Sequence, residues 1–418
     1  MSIVQRRWLR SSKGENLDNG ITVKNALKLI EKSIYYDEIY KAFNLKELEN
    51  DFIAIKGANF LVKELIEVDE EYSKFDVDSA SNDVRITKFT DNNEAEFEIF
   101  NISNKEVLKV TGSDMILMES AYSVKSEYLN DLYHIDKYLD FCIKSKYHDI
   151  VEQNLVMIQE KNKDNNKLKN FRVLQSPKGK YYVRAITSVD KYKDYNLRFS
   201  LFIALIELHL LIKDKFQTYF IESYNITESD ARIVFKNKQI YDIDNNTKLG
   251  FAFELINDEI KREAVKFNGI FSFTFGNSSE FFVKSEEINS HVSSFTHSSS
   301  IETVKIKLND LSGNIDDFIS NTIDDAKKIR ITDKPDLLRD HLLYKISNGK
   351  SPEFNTSYKD QVKSLLSNKV KTIVELCVIF DKVSLLIQDE HVSSLDFWRS
   401  KLYQVLFEEV NKTKQISI

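Results

Sequence analysis

Seven cations and five aromatic rings crowd one stretch of this sequence. Arg172, Lys178, Lys180, Arg184, Lys191, Lys193 and Arg198 are interleaved with Phe171, Tyr181, Tyr182, Tyr192 and Tyr195. Cations neutralise phosphates, and exposed rings stack bases at roughly 1–3 kcal/mol each, the pairing that a surface for single-stranded nucleic acid requires. Strand alternation divides the set, with Tyr181, Val183 and Ala185 on one face and Tyr182, Arg184 and Ile186 on the other, so half of the rings belong to a core. The expected contact residues are Arg172, Lys178, Lys180, Tyr182, Arg184, Lys191, Lys193 and Arg198.

Other chemistry finds less material. Asp242 or Asp244 followed by Glu259-Ile260-Lys261 has the residue types of a metal-dependent nuclease, in which carboxylates hold Mg2+ and the lysine polarises the phosphate. The pattern is permissive in a chain so rich in these residues, and a solvated strand end explains it more simply. The run from Asp242 to Asn246 is no calcium loop, because Thr247 stands where the turn needs glycine and Phe253 where the bidentate carboxylate belongs. Neither a dinucleotide glycine fingerprint nor a P-loop is present. His291 and His297 read as loop residues and His209 as a core histidine. Cys142 and Cys377 lack a neighbouring base and suit reduced, buried thiols. No catalytic residue, metal ligand or cofactor is assigned.

The net charge of −6 argues against a surface coated throughout for nucleic acid. It conceals two opposed segments. Residues 63–98 carry 4 basic and 12 acidic side chains, a net of −8, and residues 161–198 carry 11 basic and 3 acidic, a net of +8. These are solvated faces, or segments facing each other in the fold or across a dimer, or else the basic one is an anion-binding surface. The N-terminal basic residues lack an apolar segment behind them, and the longest apolar run, 201–212, is too short for a bilayer, so a cytosolic protein without membrane association is expected.

The elements follow from spacing. Val23, Ala26, Leu27, Ile30 and Ile34 place an apolar stripe on a helix, and a second helix is expected over 45–68. Residues 76–93 read as a linker or an irregular edge, and residues 97–110 as a hairpin around Ser103-Asn104-Lys105. The strands Phe171–Leu174 and Tyr181–Ile186 flank Ser176-Pro177-Lys178-Gly179, where proline presets φ and glycine accepts a positive one. A helix over 197–212 precedes strands at 219–224, 231–235, 250–256, 265–275 and 281–283, whose short connections require an antiparallel sheet. Helices then return at 315–328, 335–346, 358–387 and 395–412. The class is α+β, a central, mostly antiparallel sheet flanked by N- and C-terminal helical regions, with boundaries expected as 1–90, 91–308 and 309–418.

Around the basic hairpin the sequence resembles a family of phage/plasmid-like proteins of unknown function, the domain-of-unknown-function 932 group, over about 105–300. The similar residues are Phe171-Arg172-Val173-Leu174, Arg184-Ala185-Ile186-Thr187-Ser188, Tyr192, and Gly250–Ile256 leading into Asn257-Asp258-Glu259-Ile260-Lys261. The chain departs from that pattern at Asp258, Lys261 and Phe275-Gly276-Asn277. The resemblance implies a protein of a mobile element acting in the bacterial cytosol, and no catalytic residues. The favoured reading is a non-enzymatic binder of single-stranded DNA or RNA, or of another polyanion. The alternatives are an interaction factor in phage–host conflict, with a host or phage protein as partner, and a Mg-dependent nuclease using Asp244, Glu259 and Lys261.

Overall fold

The computed structural model describes residues 7–10, 18–90, 94–161, 166–189, 191–260, 264–276, 280–284, 291–329, 334–348, 356–387 and 392–408. Its strands, in chain order, are β1 (Arg7–Arg10), β2 (Ile21–Thr22), β3 (Phe52–Ile53), β4 (Ser73–Ala80), β5 (Val84–Phe89), β6 (Ala95–Ile99), β7 (Ile116–Ser120), β8 (Leu168–Gln175), β9 (Tyr181–Thr187), β10 (Tyr219–Ile226), β11 (Asp230–Asp242), β12 (Thr247–Asp258), β13 (Val265–Phe275), β14 (Phe281–Val283) and β15 (His291–Phe295). The turn between β8 and β9 closes as its residues demand. Gly179 takes φ 77°, its N–H donates to the Ser176 carbonyl at 2.8 Å, and the Ser176 N–H donates to Lys180 at 2.9 Å.

Two sheets carry the α+β fold. One has the order β4-β8-β9-β7-β6-β5, antiparallel except for the parallel pair β7–β9. The other is antiparallel throughout, β1-β10-β11-β12-β13-β14, with β15 also paired to β13. The small pair β2–β3 stands apart. The expected linker at 76–93 includes most of β4 and all described residues of β5, because the Asp76 and Asp78 backbone pairs with Arg172 and Asn170 of β8. The expected hairpin at 97–110 is instead β6 followed by a helix, Lys105–Thr111. Asn104 makes no turn there; its side chain accepts the N–H of Glu106 at 2.9 Å and caps that helix. The helix expected over 45–68 is interrupted by β3, and the one over 358–387 divides into Thr356–Leu366 and Ile373–Ile387. His291, expected in a loop, begins β15.

Burial groups the chain into two main hydrophobic clusters. The larger joins buried residues between Ile21 and Val68, the helix Leu197–Lys215, β10–β15 and the C-terminal helices as far as Leu406. The other joins β4–β9 to the helices Asp136–Lys144 and His148–Lys161 through residues such as Phe97, Leu139, Val151 and Phe171. Packing thus links 21–68 with 195–406, on both sides of the positions near 90 and 308. The helix Leu197–Lys215 is buried on every face from Leu197 to His209, as a core helix is, and His209 lies on it with Nε2 3.0 Å from Asp51. Both cysteines are free and buried. Among the described residues no helix is long and apolar enough to cross a membrane.

The N-terminal segment is pinned by one carboxylate and one glycine. Asp18 accepts the Phe60 N–H at 2.7 Å and the Asn59 N–H at 3.3 Å, capping the helix Ala58–Glu70 in place of Gly57, which has no side chain to do so. Asp18 also accepts the Gly20 N–H, and Gly20 sits at φ 140° where a Cβ would fall 2.1 Å from the Ile53 carbonyl oxygen. Gly20→Ala is therefore expected to cost at least roughly 1–3 kcal/mol in urea denaturation, by forcing β2 away from β3. An unchanged midpoint would show that the segment relaxes freely.

Candidate anion-binding cleft

The acidic and basic segments of the sequence meet inside the protein. β4 lies directly on β8, and Arg172, fully buried, donates to Asp76, to Asp194 and to the Glu259 carbonyl at 2.8 Å. Its guanidinium also sits over the Tyr192 ring, 5.0 Å from the centroid. Arg184, on β9 and 1% exposed, pairs with the Glu259 carboxylate at 2.8 Å and with Ser229 Oγ at 3.1 Å. Arg198, near the start of the helix Leu197–Lys215, pairs with Asp69 at 2.5 Å. Three of the eight expected contact residues are thus consumed as internal counter-charges and are not open to a phosphate.

Glu259 is the centre of this network. It follows β12, and its carboxylate accepts from Lys74 at 3.1 Å, from Arg184, and from the Leu197 N–H at 3.0 Å at the head of a long helix. Its carbonyl accepts from Arg172 and from the Tyr192 hydroxyl at 3.0 Å. Burial alone would raise its pKa, but Lys74, Arg184 and Arg172 outweigh that and hold the carboxyl far below the usual range. Arg172, Arg184, Tyr192 and Glu259, read from the sequence as separate short motifs, therefore converge. Asn257 joins them to the helix by donating to the carbonyls of Tyr195 and Asn196.

The aromatic rings of the segment are largely spoken for as well. Tyr181 packs edge-on against Phe75, and Tyr195 stacks on Phe199 at 4.6 Å. Tyr192 is held between Arg172 and His297, whose ring stacks on it at 4.7 Å and 7°. Tyr182 is half-buried with Lys180 over its face, and Lys180 is paired with Glu119. Lys178 stands exposed at the hairpin tip, and Lys193 sits 5.9 Å over the Tyr35 ring.

What stays open lies at the other end of the hairpin. There a cleft of about 410 Å3, within the size range of small-ligand sites, opens between the end of β9, the loop that follows it, and the segment after β15. Lys169 and Lys191 line it, and neither has an acidic partner among the described residues. Ser188, Thr296 and Ser298 add hydroxyl groups, and Asp131 contributes a carboxylate. The walls are zipped together: the Lys193 N–H donates to His297 at 2.6 Å, and the Tyr195 hydroxyl donates to Ser299 at 2.5 Å. Burial holds the His297 pKa below its ordinary value, so the ring stacked on Tyr192 is neutral at neutral pH. Seven strand residues put the hairpin tip about 20 Å away, so Lys178 and Lys180 do not share this cleft with Lys191.

Lys169 was legible only as one charge among the 11 basic residues of its segment, and nothing in the sequence marked Asp131. The residues proposed for a nuclease do not assemble. Asp244 folds into the β11–β12 turn, accepting the Asn246 N–H at 2.7 Å, whereas Glu259 lies beyond the far end of β12, roughly 40 Å along the strand. Lys261 falls outside the described residues. Among the described residues no cluster of His, Cys, Asp and Glu could hold a metal ion. Comparison with protein-family models, with curated proteins and with solved structures finds no match.

Proposed function

We propose that the protein binds single-stranded nucleic acid without cleaving it, seating a backbone phosphate on Lys169 and Lys191 in the cleft. One observation carries this reading: two lysines without acidic partners among the described residues, with hydroxyl groups in the same lining, in a nucleotide-sized depression, while the other cations of the same basic segment that lie buried are paired. Lysine is a point-charge phosphate ligand, and serine and threonine hydroxyls supply neutral donors to the same oxygens. Ring stacking contributes little to this version of the interface, because the rings are occupied. The mobile-element setting implied by the resemblance is part of the proposal and rests on the matching residues alone.

The test is fluorescence anisotropy with single-stranded 12-mers at several salt concentrations. Lys169→Glu/Lys191→Glu is expected to abolish binding, and the milder pair of glutamines to reduce the log K against log salt slope by about 1.4, that is ~0.7 per contact. Lys178→Glu/Lys180→Glu, at the hairpin tip, is expected to bind like wild type. Absence of wild-type binding at low salt would overturn the reading. A second reading, a protein partner, is favoured by the exposed apolar residues Tyr138, Phe141, Ile150 and Met157 on neighbouring helices and Tyr147 between them. Retention of a partner through 0.5 M salt, with no nucleic-acid affinity, would select it.

A further inference from the structure

Resting on that reading, we infer that the cleft selects RNA over DNA, with Asp131 as the acceptor for the sugar hydroxyls. A cleft built only to attract phosphate has no use for a carboxylate, yet Asp131 lines it beside Lys169 and Lys191. Among the described residues none of the three has an ion-pair partner, Asp131 with either lysine included. Its backbone is fixed, since it sits in the turn Tyr128–Leu132 whose flanking residues Leu129 and Leu132 are buried in the β4–β9 core.

An ionised carboxylate only accepts hydrogen bonds and repels a phosphate, so its complement on the ligand is a neutral donor. A nucleotide whose phosphate lies on the lysines offers two kinds of donor. Base amino groups differ from base to base, whereas the ribose 2′- and 3′-hydroxyls are the same in every unit of RNA. Within an RNA chain the 3′-oxygen is esterified, which leaves the 2′-hydroxyl as the donor that every position presents and that DNA lacks. The mixed lining thus matches a ribonucleotide, phosphate on one side and 2′-hydroxyl on the other, better than it matches a simple anion or a deoxyribonucleotide.

The experiment is a matched titration of single-stranded RNA and DNA of one mixed sequence, with uridine for thymidine, against wild type, Asp131→Ala, Asp131→Asn and Lys169→Glu/Lys191→Glu. Wild type is expected to prefer RNA by about tenfold, the scale of one hydrogen bond to a charged group. Asp131→Ala should bring the ratio close to one by weakening RNA while DNA binding holds or tightens, and Asp131→Asn, which keeps one acceptor oxygen, should fall between. Equal wild-type affinities that are both lost in the double lysine variant would overturn the sugar selectivity and leave the binding reading standing. A preference for RNA that Asp131→Ala leaves intact would likewise overturn the role of Asp131. No binding of either polymer by wild type would overturn both. Asp131 is exposed, so its variants keep the fold, which circular dichroism checks.

Discussion

Glu259→Gln is expected to remove about 3–5 kcal/mol of folding free energy, the usual effect of deleting one partner of a buried ion pair. Glutamine has the shape of glutamate, so the change leaves packing intact and isolates the charge. Arg184 then remains buried without its counter-ion, Lys74 is left with Asp69, Arg172 loses the nearby negative charge, and the Leu197 N–H loses a charged acceptor at the head of its helix. Against a total stability of about 5–15 kcal/mol, a drop of this size shows as a large fall in the urea midpoint. Asp244→Asn, in the β11–β12 turn, keeps the oxygen that accepts from Asn246 and is expected within about 0.5 kcal/mol of wild type.

Acidity supplies the second arm of that test. The folded-state pKa of Glu259 is depressed, so its contribution is fully present above the unfolded value near 4.5 and is lost as pH falls towards the folded value. The difference in stability between wild type and Glu259→Gln should therefore be constant above about pH 5 and shrink below pH 4.5. A gap independent of pH would show that shape or hydrogen bonding, and not charge, is what Glu259 contributes.

Trp398→Ala is expected to cost a similar amount, about 3–5 kcal/mol, by a different cause. Trp398 is fully buried in the C-terminal region and meets Phe380 edge-on at 5.9 Å; Phe380 in turn meets Phe281 of β14 at 5.2 Å. The indole N–H donates to Ser384 Oγ at 3.2 Å. Removing the ring leaves a void between the C-terminal helices and the edge of the second sheet. Trp398→Phe keeps most of the ring and loses the hydrogen bond, so it should cost less than the alanine variant. Urea denaturation followed by circular dichroism reads both. Equal losses in the two variants would place the energy in the hydrogen bond and contradict the packing account.

The two expectations together describe how the halves of the molecule are joined. β14 and the C-terminal helices share apolar contacts with the larger core, while the β4–β9 sheet meets the ends of β10 and β12 through Arg172, Arg184, Ser229 and Glu259. The proposed cleft opens at that polar junction, lined by residues of both sheets' loops. Ligand sites commonly lie where two packed units meet, because the concavity is supplied by the junction itself.

Local spacing by itself determined much of this protein. The β8–β9 turn, strands β10–β14 of the second sheet, most of the core helix Leu197–Lys215 and the α+β class follow from turn chemistry, β-branched and aromatic runs and apolar periodicity, all of which act over a few residues. The sequence also contained the opposition of a −8 and a +8 segment, and their mutual pairing stood among its open readings. What only the tertiary structure decided was which cations face water. Arg172, Arg184 and Arg198 find Glu259, Glu259 and Asp69 at sequence separations of 87, 75 and 129 residues, and neither charge nor spacing along the chain specifies a partner so distant. A buried arginine and an exposed lysine look alike in a charge count. They part company only when folding desolvates one and must pair it, leaving Lys169 and Lys191 in the cleft, with Asp131 in the same lining, and Lys178 at the hairpin tip open to a ligand.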